Sequence, residues 1–358
     1  MEPTMQLKPR KRNVLRGIRI FAAFTVLGIA VVFYITGSQK TWMALKKFDA
    51  RYFLIACGLI LVDLFSGALR IHIFTRRILK KNSFRAAFNA NLANIFLAAA
   101  TPFQTGGGVA QLFVLNRYGL PYAAGVTVSV LNFVATLSML FVAASIILTA
   151  FPHRFQVGPS LYLVMDFSRL AFYFTLFFFI IFMVRPFWVA RIARRITAFV
   201  GRLLKKNSRK VELLANRLLD FVHQYRGYMK FYWKEEKMIL VWNYVLTLIL
   251  YFNKCLVAYV IFRGLGLTPA FWDVIMLQML IVFFLYFAPT PGASFVAETS
   301  TTAIMSLLAP GYMLALFTVL WRFFTTYFGV VLGSFVLIRA IQAEKVPVSV
   351  DVSTVDAG

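Results

Sequence analysis

The sequence predicts an all-α polytopic integral membrane protein, and three observations predict it. Sixty per cent of the 358 residues are hydrophobic and only 14% are charged, a composition outside the soluble class. Uncharged runs cover Ile20–Gln39, Ala86–Asn116, Tyr118–Pro152, Leu170–Val184, Val274–Ala297 and Thr299–Trp321. A spanning helix needs about 20 mostly apolar residues, so several of these runs are long enough to cross a bilayer. The basic residues gather at Lys8–Arg19, Arg70–Arg85 and Arg185–Lys237, between the apolar runs. That gathering accounts for the net charge of +25 without nucleic acid, because cytoplasmic loops of membrane proteins are rich in Lys and Arg.

Taken in order, residues 1–19 carry six basic groups against Glu2 and are expected inside. The first apolar run is too long, and too far from a small-residue cleavage site, to be a removed signal peptide, so it reads as a first helix over 19–39. Residues 40–51 then form an outer loop, although Lys40, Lys46, Lys47 and Arg51 sit poorly there. A second helix over 52–71 returns to Arg76, Arg77, Lys80, Lys81 and Arg85, a cytoplasmic loop. Residues 185–237, with 14 basic and four acidic residues, are also cytoplasmic. Ile192, Ile196, Phe199 and Leu203 at helical spacing make the segment an amphipathic elbow on the membrane surface.

Only residues 118–152 and 160–184 read as full spans between those two inner loops. The stretch 86–117 must therefore leave and return on the same side, as a re-entrant hairpin with Thr101–Gly108 at its tip. The same count at the far end makes 238–262 a span, 270–309 a hairpin entered from outside, and 312–338 the last span. Both tips share one device: Pro102 matches Pro289, Val109-Ala110 matches Val296-Ala297, and Gln111 matches Glu298, all 187 residues apart. The expected fold is an inverted repeat of helix–hairpin–helix units, with about six full spans and two hairpins, or about eight apolar segments by hydropathy alone. Its parts are 1–51 (basic tail and first helix), 52–150 (repeat one), 151–184 (linking span), 185–237 (elbow), 238–339 (repeat two) and 340–358 (cytoplasmic tail).

Broken backbone at membrane depth survives only inside protein or beside a cavity, and paired breaks in two halves point to a transport site. The tip residues Thr101, Pro102, Gln104, Gly106, Gly107, Gly108 and Gln111, with Pro289, Pro291 and Gly292, are therefore candidate substrate contacts. Ionisable groups at that depth cost roughly 2.5–3.5 kcal/mol each and tend to have a role. Asp63 and Lys254, on the leading helices of the two repeats, are expected to pair. Glu298 and Arg322 flank the second tip, and the planar fork of Arg suits a phosphate. Gly106–Gly108 open a half-helix whose free amides favour an anion, though a glycine run serves close packing equally well. Cys57, Cys255 and the histidines at 72, 153 and 223 have no metal-ligand spacing, and no cofactor is expected. No nucleophile–base set or phosphate loop is present, which excludes the common hydrolase and nucleotide-dependent classes.

These residues resemble those of the flippase-like family named for the transmembrane region of lysylphosphatidylglycerol synthase. The resemblance covers residues 15–340. It rests on Arg70, Asn91–Asn94, Thr101-Pro102 with Gly106–Gly108 and Gln111, then Pro289-Thr290-Pro291-Gly292, Ala297-Glu298 and Arg322. Many members carry an acidic residue where this chain has Gln111, and a small one where it has Phe295. The resemblance implies movement of lipids between leaflets of the cell (inner) membrane, without the aminoacyl-transferring domain. With Arg322 and the tips the expected lipid is anionic, a phospholipid or polyprenyl phosphate, and the basic clusters put both termini in the cytoplasm. Two alternatives stay open: a membrane enzyme on a lipid phosphate with Glu298 as base, and a non-transporting accessory subunit. A homo-oligomer or a lipid-synthesis enzyme partner is also open.

Overall fold

The computed structural model describes residues 11–46, 48–79, 81–150 and 208–342, with Leu170, Tyr173, Phe174 and Phe177 between them. Every regular element among the described residues is helical. The expected linking span 160–184, apart from those four residues, and the first part of the elbow, 185–207, lie outside the described residues.

The amino-terminal helix α1 (Lys11–Thr36) stops at Gly37-Ser38, and α2 (Gln39–Lys46) leaves at 110° to it. The Ser38 N–H donates to Thr41 Oγ1 at 3.1 Å, the reciprocal half of a capping box that starts α2. Thr41 Oγ1 in turn donates to the Tyr312 carbonyl at 2.7 Å. Residues 40–51, expected as an outer loop, thus hold a helix whose Thr41 and Ala44 are buried.

Helix α3 (Ala50–Thr75) begins at Asp49, whose carboxylate accepts the Arg51 N–H at 2.8 Å. Ala56, Ile60, Leu64, Gly67, Ala68, Ile71 and Phe74 are buried on one face, while Leu54, Leu61, Phe65 and Leu69 remain exposed on another. An exposed apolar face on so long a helix is what lipid accepts and water does not. Next come α4 (Ser83–Ala99), the turn Pro102–Gln104, α5 (Gly106–Arg117) and α6 (Tyr122–Ala150). Helix α7 (Ser208–Lys230) lies on α6 through Phe221 and Tyr225. A π turn (Phe231–Glu235) follows, in which the buried Tyr232 hydroxyl donates to the Phe74 carbonyl at 3.0 Å.

The second set comprises α8 (Lys237–Gly264), α9 (Phe271–Tyr286), the turn Pro291–Ala293, α10 (Val296–Met305) and α11 (Gly311–Arg322). A π turn (Phe323–Tyr327) joins α11 to α12 (Phe328–Gln342). The order helix, arm, tight turn, arm, helix occurs twice, starting at residues 50, 83, 106 and 122 and again at 237, 271, 296 and 311. Among the described residues, four runs are long and apolar enough to cross a membrane: Ala50–Thr75, Tyr122–Ile147, Lys237–Gly264 and Gly311–Gln342. The bent pair α1–α2 adds a fifth if it is one span. Helices α4, α5, α9 and α10 are too short: at 1.5 Å per residue they reach roughly 15–26 Å, against about 30 Å of hydrocarbon.

Helices α3 and α8 pack together along their length, and Asn253 Nδ2 donates across the seam to the Leu59 carbonyl at 2.9 Å. Helix α9 is the centre of the core, with Val274–Ile281 and Phe283–Leu285 all buried. Helix α12 lies on α4 through Gly329 and Gly333, a small-xxx-small stripe. A Cβ on Gly333 would stand 2.1 Å from the Leu92 carbonyl oxygen, so the contact is made by backbone.

Candidate functional site

The two tight turns touch each other. Each is forced by proline at its start and by left-handed residues that cannot continue a helix: Phe103 and Gln104 in the first, Gly292, Ala293 and Phe295 in the second. Within the first, Thr101 Oγ1 donates to the Leu97 carbonyl and accepts the Gly106 N–H, both at 2.8 Å. One of the amides expected to be free for an anion is therefore already satisfied. A Cβ on Gly106 would meet Thr101 at 2.7 Å and one on Gly107 would meet Asn94 Oδ1 at 2.6 Å, so these glycines let α4 and α5 close on each other. Gly108 faces open space. Buried Gln111 accepts from Asn94 Nδ2 at 2.9 Å and donates to Ser129 Oγ at 3.0 Å. Gln104 Nε2 reaches the other hairpin, donating to the Leu285 carbonyl at 3.4 Å. Pro102 is exposed. The first tip is neutral and mostly self-satisfied.

The second tip is charged. Arg322 Nε lies 2.9 Å from Glu298 Oε1, with the side chains 3% and 0% exposed. The contact is short but not aligned as a hydrogen bond, and Glu298 Oε2 has no hydrogen-bond partner. Arg322 Nη2 donates to the Gly292 carbonyl at 3.2 Å and to Ser294 Oγ at 3.1 Å, and Nη1 donates to Thr326 Oγ1 at 3.3 Å. The π turn after Arg322 presents Thr326 to it and stacks the Tyr327 ring 5.6 Å from the guanidinium carbon. Arg322 thus clamps the broken backbone of the tip while Glu298 balances its charge. Pro291 is buried beside them and Pro289 is exposed.

Helix α1 closes this site, which the sequence had not suggested. Thr25 Oγ1 and Ser294 Oγ share a 3.0 Å hydrogen bond. A Cβ on Gly28 would lie 3.1 Å from both Glu298 Oε2 and the Phe295 Cα. Thr25 and Gly28 sit in an apolar run with nothing nearby to mark them; Ser294 lay inside the tip motif but reads there as an ordinary turn residue.

A second polar group lies between α3, α6 and α8. Lys254 Nζ and Asp63 Oδ1 are 2.8 Å apart and about a fifth exposed. Arg70, 7% exposed, donates from Nη2 to the Asn132 carbonyl at 2.7 Å and to Thr136 Oγ1 at 2.9 Å, and from Nε to Asn243 Oδ1 at 3.4 Å. Asp63 and Arg70 lie seven residues apart on α3, about two turns and on the same face, which sets these charges in one network along the α3–α8 seam. An apolar groove lined by Leu45, Phe48, Ala50, Phe53, Leu54 and Leu320 contains none of these groups.

Comparison with known proteins places the chain among membrane proteins. A UPF0104 membrane protein of the archaeon Archaeoglobus fulgidus is 24% identical over 333 residues, which are 90% of this chain and 97% of that protein. The family model for the lysylphosphatidylglycerol synthase TM region matches residues 18–333, from α1 through both tips to α12. This chain is a multi-pass membrane protein and belongs to the lysylphosphatidylglycerol synthase TM region family.

Proposed function

We propose that this protein moves an anionic lipid, a phospholipid or a polyprenyl phosphate, between the leaflets of the cell membrane. The observation that carries the reading is a fully buried Glu298–Arg322 pair at a backbone break between two arms too short to span, beside a second such break. Such breaks are costly in lipid and persist where they serve a passage. In this reading the two helix sets are inverted-topology repeats. Their paired arms α4–α5 and α9–α10 are re-entrant hairpins entered from opposite sides, and both termini are cytoplasmic. Movement then consists of one hairpin pair yielding against the other while the lipid tails stay in the bilayer.

Reconstitution tests the activity. In vesicles holding fluorescent phosphatidylglycerol, the protein should carry inner-leaflet label outward, so that an impermeant reductant bleaches more than the outer-leaflet share. Bleaching equal to that of empty vesicles would leave the accessory-subunit reading. Cleavage of the labelled head group would favour the enzyme.

Cysteine labelling tests the topology. On a cysteine-free background, Arg85→Cys and Tyr118→Cys should both react from the cytoplasmic side, and Thr268→Cys and Gly311→Cys both from outside. Opposite-side labelling within either pair would turn the hairpins into ordinary spans.

A further inference from the structure

We propose that the lipid phosphate docks at Arg70, where α3, α6 and α8 meet, and that Arg322 is not the first cation it meets. The inference rests on the translocase reading only for what happens to the lipid after docking.

Charge balance carries it. Arg322 has its own carboxylate, and three of its remaining donors are occupied by Gly292, Ser294 and Thr326. A phosphate could reach it only by dismantling the tip. Arg70 is buried almost as deeply, yet all three of its hydrogen-bond acceptors, on Asn132, Thr136 and Asn243, are neutral. Asp63, the acid in the same network, is taken by Lys254 at 2.8 Å. The cluster therefore holds one positive charge without a counter-charge among the described residues. A lone buried charge is expensive, and the cost falls when an anion joins it.

The remaining geometry suits a phosphate monoanion. Nη1 of Arg70 has no partner among the described residues, and the guanidinium is held from its Nε and Nη2 side by the three acceptors. That leaves its residual exposed edge as a planar donor for phosphate oxygens. Independently, Asn132, whose carbonyl holds Arg70, leaves its own buried Oδ1 without a partner. An acceptor there asks for a donor on the ligand, such as a head-group hydroxyl. Arg70 also lies one to two turns from Arg76 and Arg77 at the end of α3, where basic side chains gather anionic lipid. On the side facing the tips, Phe133, next to Asn132, meets the Tyr286 ring at 5.8 Å, and Leu285 just before Tyr286 holds Gln104 of the first tip through its carbonyl. A phosphate leaving Arg70 in that direction meets the hairpins.

The discriminating variant is Asn243→Asp, which places a carboxylate 3.4 Å from Arg70 Nε and neutralises the cluster without touching Arg70. Purified protein in nonionic detergent is offered short-chain phosphatidylglycerol, inorganic phosphate, or phosphate-free diacylglycerol, and retained ligand is counted by native mass spectrometry. Wild type should retain phosphatidylglycerol and not diacylglycerol, and Asn243→Asp should retain about ten-fold less. Should Asn243→Asp not be recovered folded, Arg70→Lys takes its place with the same expected loss, since it keeps the charge and loses the fork. Retention by either variant at the wild-type level overturns the site. Inorganic phosphate bound as tightly as the lipid, and lost with it in the variant, overturns the lipid as occupant. Lipid retained at Arg70 by a protein that moves none in vesicles leaves this site standing and ends the translocase reading. Lipid moved by a protein whose Asn243→Asp form retains it normally does the reverse.

Discussion

Glu298→Gln should strand Arg322 in the protein interior and cost about 3–5 kcal/mol, cutting the yield of folded protein sharply. Arg322→Gln should do the same by stranding Glu298, which is 0% exposed. The double change to glutamine leaves no buried charge and should restore yield, because neutral side chains can still hydrogen-bond at Gly292 and Ser294. If the pair belongs to the passage, that restored protein should still move lipid at least about ten-fold more slowly than wild type, a loss of roughly 1.4 kcal/mol in barrier terms. Arg322→Lys should show a similar slowing with less loss of yield, since one ammonium cannot hold Gly292, Ser294 and Thr326 together. Yield is read by fluorescence-detected size exclusion and movement by the vesicle assay. A double variant with both at wild-type level would make the pair a structural lock and remove it from the site.

Gly333→Ala should be nearly as damaging, although one methyl is added far from any charge. Its Cβ would lie 2.1 Å from the Leu92 carbonyl oxygen and 2.7 Å from the Phe96 Cβ, and neither neighbour is the free end of a flexible side chain. Helices α12 and α4 must part, giving up the Gly329–Ile95 contact as well. Overpacking of this kind costs about 1–3 kcal/mol and sometimes more, here at the upper end because backbone must move. Thermal unfolding in detergent measures it. Gly108→Ala, whose added Cβ meets nothing within 4 Å, is the control and should unfold near the wild-type temperature.

Much of the fold was legible because its causes are local. Apolar runs bounded by basic clusters declare helices that lipid can hold, and Pro102, Pro289 and Pro291 declare where those helices stop. Glu298 and Arg322 stood out because a charge within an apolar run is rare and expensive. Asp63 and Lys254 stood out for the same reason, and the structure puts them 2.8 Å apart although 191 positions separate them. The stretch 40–51 reads as an outer connection, and the structure adds that it contains the short helix α2. Its lysines suit neither a span nor an outer loop, and the dock of Thr41 on Tyr312 is a contact between distant positions that no local pattern announces.

A helical membrane chain with two broken arms and a short roster of buried charges follows from the residues in order, because helix length, breakage and burial cost are set locally. Which charges are balanced depends on contacts between distant segments. The tertiary structure closed α1 over Glu298 through Thr25 and Gly28, gave Arg322 its carboxylate, and left Arg70 among neutral acceptors. Charge balance is a property of neighbours brought together from distant positions, at distances where a low dielectric magnifies every ångström, and no run of residues carries that information.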